Sequence, residues 1–202
     1  MREILPGILT WPWFSERHGY DFNGTLVLHA EGNLCIDPVE PDDAVSKLLR
    51  EVGVERILLT NRNHSRAANR IHEETGASVW IHPCDADHAR GEGVGIDETF
   101  EFGARIGPFA VIDAHGKSAG EVALHDPARR LLIVGDALIG NPPGALSLLP
   151  DAVVDEPLRL RASVRRLLAL DFDALLVGDG HPILAGARAR LEELVRSFPD
   201  RA

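Results

Sequence analysis

Residues Arg56-Ile57-Leu58-Leu59-Thr60-Asn61-Arg62-Asn63-His64-Ser65-Arg66 pass in one step from an apolar run to a polar hexad. A short apolar run without polar alternation is what a strand covered on both faces uses, so Arg56–Thr60 reads as a buried strand. Ala67, Ala68 and Ile71 then follow at helical spacing and Gly76 closes the segment, so the hexad lies between a strand tip and a helix mouth. Side chains that carry chemistry collect at such junctions, because loops there escape the packing demands of the core. The stretch therefore points to an α/β architecture and nominates its own candidate site.

Outward from this point the pattern continues in both directions. Upstream, Thr25–Ala30 and Leu34–Asp37 read as two strands joined by a turn at Glu31-Gly32-Asn33, and Asp42 or Asp43 caps a helix reaching about Val52. Downstream, Ala77–His82 is a strand closed by Pro83, and a glycine-punctuated stretch from Gly91 to Gly107 reads as turns and short extended pieces. Phe109–Ile112, Glu121–His125 and Arg130–Val134 are three further strands, and residues 138–157 form a Pro/Gly-rich loop long enough for a lid or an interface. A helix over about 158–170, a strand at Ala174–Val177 and a helix over about 183–198 complete the chain. This order suits two sheets sandwiched between outer helices.

The 202 residues carry a formal net charge of −10 with ordinary globular composition, which excludes a broad phosphate-binding surface for nucleic acid. Arg161, Arg165 and Arg166 read as the wet face of a helix. The start, broken by Pro6, Gly7 and Pro12, lacks the apolar segment of a signal peptide. With Cys35 and Cys84 in no metal-binding spacing and read as reduced thiols, the expectation is a cytoplasmic protein with no membrane association.

The ordered pieces Asn23-Gly24-Thr25, Leu34-Cys35-Ile36-Asp37-Pro38, Leu58-Leu59-Thr60 before the hexad, Ala114-His115-Gly116-Lys117-Ser118-Ala119-Gly120, Val134-Gly135-Asp136-Ala137 and Leu176-Val177-Gly178-Asp179-Gly180 resemble the metallo-β-lactamase fold superfamily over nearly the whole chain. The resemblance implies one domain over residues 1–202, an αββα sandwich of two mixed sheets, and descent from hydrolases of esters, thioesters or lactams. Members usually place a His-x-His-x-Asp-His motif on two metals. Aligned on Thr60, those four positions are Asn61, Asn63, Ser65 and Arg66 here, with Arg62 and His64 between them. The resemblance puts the later histidine ligand on His115, the bridging aspartate on Asp136 and the final histidine position on Asp179.

Imidazole, thiolate and carboxylate groups hold zinc, at least three in a catalytic site, so this set does not make a binuclear zinc centre. Two readings follow. In the first, no metal binds: Arg66 enters the pocket as a cation for Asp136 and Asp179, and Arg62, His64, Arg66, the two asparagines and Trp13 serve a small anionic ligand or a protein partner, a homodimer included. In the second, His115, Asp136, Asp179 and Asn63 hold one manganese, iron, magnesium or zinc ion for hydrolysis of a small substrate, with His115 and Asp136 as an acid–base pair. Ser65 reads as a helix cap, His82, Asp85 and His88 as a peripheral turn, and Trp11, Trp13, Phe14 and Tyr20 as an aromatic entrance segment.

Overall fold

The computed structural model describes residues 1–199 and lays the chain down as two sheets in succession. The first contains β1 (Arg2–Leu5), β2 (Ile8–Ser15), β3 (Tyr20–Val27) and β4 (Leu34–Ile36), then α1 (Asp43–Val52), β5 (Arg56–Leu59), α2 (Ala68–Thr75), β6 (Ser78–Ile81), α3 (Pro83–Gly91) and β7 (Glu98–Thr99). Its strands lie side by side in chain order, antiparallel from β1 to β4 and parallel from β4 to β7. The second contains β8 (Arg105–Ile106), β9 (Phe109–Asp113), β10 (Val122–Asp126) and β11 (Leu131–Val134), then α4 (Pro157–Leu167), β12 (Ala174–Val177) and α5 (Ala187–Arg196). Here the order is β12-β11-β10-β9-β8, with β11 and β12 the parallel pair. Among the described residues no helix is long and apolar enough to cross a membrane.

Alternation along each strand builds the layers. Successive side chains of a strand point to opposite faces, so Ile57 and Leu59 pack under the helices of the first half while Leu58 enters the core between the sheets. In β11, Leu131 and Ile133 face that central core and Leu132 and Val134 face the outer helices, and β12 repeats the arrangement with Ala174 and Leu176 against Leu175 and Val177. Both faces are covered, which is why these segments read as unbroken apolar runs. The result is the expected αββα sandwich. Asp42 is the cap of α1, its carboxylate accepting the Val45 N–H at 2.7 Å.

Two regions differ from expectation. Residues 2–15 form two strands rather than a loose entrance segment. Pro12 has no N–H to give a ladder and pairs opposite Asn23, whose own N–H turns away to the Gly178 carbonyl. A proline is tolerated at such a place on a strand whose outer side is open, and the exposed Trp13 and Phe14 beside it hide the period of two. The strand ends before Pro83 as expected, and Pro83 in addition opens α3, because a proline suits the first helical turn where its missing N–H costs nothing. His82 caps this helix through Nδ1, and Asp85 accepts from Ser118 and from the N–H groups of Arg62 and Gly120. His82, Asp85 and His88 do not form a group of convergent ligands.

Candidate functional site

The sequence Val-Gly-Asp occurs at Val134–Asp136 and again at Val177–Asp179, and the register of β11 against β12 sets Val134 beside Val177. Two glycines therefore lie abreast at the strand tips, followed by two aspartates. The His64 ring fills the gap this leaves. A Cβ on Gly178 would lie 2.5 Å from His64 Cε1, and one on Gly135 would lie 3.1 Å from the same atom. Only residues without side chains let the fully buried imidazole in.

His64 spans the two sheets. Its Nδ1 is 2.8 Å from Oδ2 of Asp37, just past β4, and its Nε2 is 3.1 Å from Oδ1 of Asp136 and 3.9 Å from Oδ1 of Asp179. Asp37 takes a left-handed backbone, φ 47, and also accepts from the Thr60 N–H at 2.8 Å and the Thr60 hydroxyl at 2.6 Å. Non-glycine residues rarely adopt this conformation, aspartate among the more tolerant, and here it turns the carboxylate back under the hexad.

Two further cations complete the cluster. Arg66 donates from Nη2 to Asp179 Oδ1 at 2.8 Å and lies with its guanidinium 3.8 Å from the centre of the Phe22 ring. Lys117 places Nζ 3.5 Å from Asp136 Oδ2 and donates to Asn63 Oδ1 at 2.7 Å. Below them Glu121, fully buried, accepts at Oε1 from the N–H groups of Asp136 and Ala137, each at 2.7 Å, and from Asn61 Nδ2 at 3.3 Å. Three cations thus face three aspartates.

The protonation of the cluster follows from these contacts. Burial by itself would keep His64 neutral, but Asp37 and Asp136 outweigh it against the opposing Arg66, and the imidazole is pushed up to about 10. Burial likewise works against the charge on Asp136, yet His64, Lys117 and Arg66 hold this carboxyl well below the usual range. Burial, reinforced by the charge of Asp136, lifts Glu121 well above its ordinary value. Asp179 is also raised by burial, in spite of His64 and Arg66.

Several sequence expectations need correction. His115 does not pair with Asp136: its Nδ1 lies 3.0 Å from Asp113 Oδ1, beside Phe102 and Arg159. The chain turns at Gly116, φ 149, where a Cβ would collide with Leu160, and it is Lys117 that emerges on the site side. Nor is Ser65 a side-chain cap; its carbonyl accepts from the Ala68 N–H, and α2 starts at Ala68 with Ala67 at the cap position and no side-chain cap. Arg62 is engaged by Asp155 through both carboxylate oxygens at 2.8 and 2.7 Å. Asn61 Oδ1 receives the Asn63 N–H and Asn63 Oδ1 receives Lys117, so neither amide oxygen is free. Trp13, 43% exposed, lines a cleft of about 240 Å³ with Phe22, Val39, Glu40 and Arg66.

The sequence alone assigns no role to Asp37, Lys117 or Glu121. For Glu121 a signal exists, a carboxylate directly before the apolar run Val122-Ala123-Leu124 of β10; for Lys117 there is none beyond its place in a glycine-rich turn.

A family model described as the metallo-beta-lactamase superfamily matches residues 2–198. No curated protein matches the chain. Among solved structures, that of TTHA1623 in a di-iron-bound form is 28% identical, covering 90% of this chain and 98% of that one at a TM-score of 0.69. A metallo-beta-lactamase from Pontibacter korlensis is 17% identical with 98% of both chains covered and a TM-score of 0.78. One from Erythrobacter litoralis with beta mercaptoethanol in its active site is 16% identical, covering 98% of this chain and 96% of that one at a TM-score of 0.77. The last two likenesses concern the fold alone.

A metal of the kind this fold implies needs at least three donors with lone pairs to spare. His64, Asp136 and Asp179 offer atoms all within 4.8 Å of one another, the group of this kind found among the described residues. Arg66 and Lys117, which have no lone pair to give, are placed on the same two carboxylates. As it stands, the donor set does not fit a divalent ion.

Proposed function

The chain belongs to the metallo-β-lactamase superfamily, and from that premise we propose a member that works without metal hydrolysis and serves as a binding protein. The observation that carries this reading is the placement of Arg66 on Asp179 and Lys117 on Asp136. Side-chain cations stand on the carboxylates that a metal would need, and Ser65, at the position of the family's aspartate, is a poor base for water near neutral pH. His64 is committed at both nitrogens to Asp37 and Asp136.

The cleft of Trp13, Phe22, Val39, Glu40 and Arg66 is the binding surface in this reading. Its occupant is apolar rather than anionic, because Arg62, Asn61 and Asn63 are already engaged within the protein and Arg66 is neutralised by Asp179. A panel of chromogenic esters, thioesters and lactams, assayed with and without added zinc, manganese or iron, is expected to show no turnover above the protein-free rate. Turnover that disappears in Asp136→Ala would sink the proposal.

A second reading is favoured by one observation, the convergence of His64, Asp136 and Asp179. It is a mononuclear hydrolase with His64, not His115, as the imidazole ligand; the di-iron form of the 28%-identical TTHA1623 supports it. In that case Arg66 must leave Asp179 when the ion enters.

A further inference from the structure

We propose that His82 is an acid-released latch, whose neutral ring caps α3 and so keeps Asp85 in place beneath the two loops that carry Arg62 and Lys117. Protonating this one ring then loosens both loops at once, whatever occupies the cleft beside them.

Only one protonation state suits the place of the ring. Nδ1 accepts the Cys84 N–H at 3.2 Å and therefore carries no proton, so the proton of the neutral ring is on Nε2. That nitrogen is buried with no hydrogen-bond partner. Phe102 covers the face of the ring, with 4.0 Å between the ring centres. A second proton would have to go on Nδ1, turning the acceptor into a donor aimed at another donor. It would also put a positive charge at the positive end of a helix.

The charges facing the ring come from three directions. Glu101, beyond β7, has Oε2 3.6 Å from Nε2 but stands mostly in solvent. Asp85 approaches from α3, and Asp113 and His115 from the end of β9; the first three carboxylates favour the imidazolium and His115 opposes it. The Asp113 charge is already shared by Arg159 and Arg166. Burial outweighs the carboxylates and lowers the ring below its ordinary value. The cap is thus present above about pH 6.5 and is lost as the pH falls through the lowered value.

Asp85 carries the effect to the site. It is the third residue of α3, fully buried, and its N–H donates to the His82 carbonyl at 3.0 Å. Its carboxylate accepts the Arg62 N–H and the Gly120 N–H, each at 3.0 Å, and the Ser118 hydroxyl. Arg62 lies in the hexad just before Asn63 and His64, while Ser118 follows Lys117 and Gly120 precedes Glu121. The fit is close, since a Cβ on Gly120 would lie 2.7 Å from Asp85 Cγ. A helix that loses its side-chain acceptor frays from that end, and here the fraying turn contains the clamp.

The test is amide hydrogen exchange by nuclear magnetic resonance on full-length wild type and His82→Asn, from about pH 7.5 to about 4.5, corrected for the intrinsic pH dependence of exchange. Asparagine caps a helix through an oxygen that does not titrate. The reporters are the N–H groups of Cys84, Arg62 and Gly120, which make the three bonds concerned. In wild type their protection should fall together by about fivefold or more on acidification, and in His82→Asn by less than about twofold. Ring nitrogen shifts of wild-type His82 are expected to show the Nε2-protonated form at neutral pH and a midpoint that coincides with the amide loss. These shifts decide the matter if His82→Asn does not fold. Undiminished protection in wild type, or a proton found on Nδ1 at neutral pH, overturns the latch. An equal loss in both proteins assigns the effect to Asp85 itself and overturns it too. A loss confined to Cys84 overturns the link to the two loops.

Discussion

Replacing Gly178 by alanine would put a methyl group 2.5 Å from His64 Cε1 and 2.9 Å from Nδ1. Carbon atoms in contact stand about 3.5–4.0 Å apart, so the ring must retreat by roughly 1 Å. Gly178 does not lie in the left-handed backbone region, so the backbone itself opposes nothing, and restricting the unfolded chain would alone stabilise by about 0.4–1 kcal/mol. The ring has nowhere to go. Gly135 closes the opposite approach to Cε1, and a 1 Å shift, roughly a third of a hydrogen-bond length, breaks the contact with Asp37 at 2.8 Å or with Asp136 at 3.1 Å.

Losing one hydrogen bond to a charged group costs about 1.5–3 kcal/mol, and overpacking adds about 1–3 kcal/mol. Net of the chain-entropy gain, the loss should be about 2–5 kcal/mol, a large share of the roughly 5–15 kcal/mol that holds a domain together. Equilibrium urea unfolding measures it, with an unchanged slope as the sign that the denatured state is unaffected. The decisive comparison is the same substitution in His64→Ala, where the clash is gone and the additional cost should fall below about 0.5 kcal/mol. Equal losses in both backgrounds, or a loss under about 1 kcal/mol in the wild type, would refute the wedged ring and with it the account of both Val-Gly-Asp turns.

Other expectations follow from the same cluster. His64 is raised from an ordinary value near 6.5 to about 10, so its contribution to stability is complete below about pH 6.5 and is lost as the pH climbs through about 10; thermal midpoints over this window should fall more in wild type than in His64→Gln. His82, lowered chiefly by burial, has the opposite sign: its contribution is present above about pH 6.5 and lost below, so His82→Gln should blunt the acid limb. Glu121 is raised by burial and favours its neutral form. Glu121→Gln should therefore cost under about 1 kcal/mol, while Asp37→Asn, which strips the charge opposite His64, should cost about 3–5 kcal/mol by chemical denaturation. Cys84 is exposed and Cys35 is buried, its thiol pushed up by that burial; a thiol reagent should titrate one group in the native protein and two in denaturant.

Much of the architecture is legible in the sequence because it is written in local patterns. Strands β5, β11 and β12 announce themselves as apolar runs, since burial on both faces demands it. The hexad after β5 and the two Val-Gly-Asp turns mark strand tips by the abrupt arrival of polar residues and glycine. That the hexad lacks the family's metal ligands follows from residue identity alone, whereas the approach of Arg66 to carboxylates is expected only through the resemblance. By contrast, β2 and α3 are not legible in the sequence, because Pro12 and Pro83 carry opposite meanings in a chain and in a fold. A proline reads locally as a break, but on an open strand side or in a first helical turn its missing N–H goes unused.

The site itself was decided elsewhere. His64 rather than Ser65 turns inward, and Lys117 rather than His115 reaches Asp136, because each lies in an irregular turn where no period of two or 3.6 sets side-chain direction. What sets it is contact with residues 27, 72 and 113 positions away: Asp37 and Asp136 for His64, Asp179 for Arg66. Composition and local pattern determined which groups the chain owns and which layers it builds. The packing of one sheet against the other determined which of those groups meet, since a buried charge settles wherever a distant partner can compensate it.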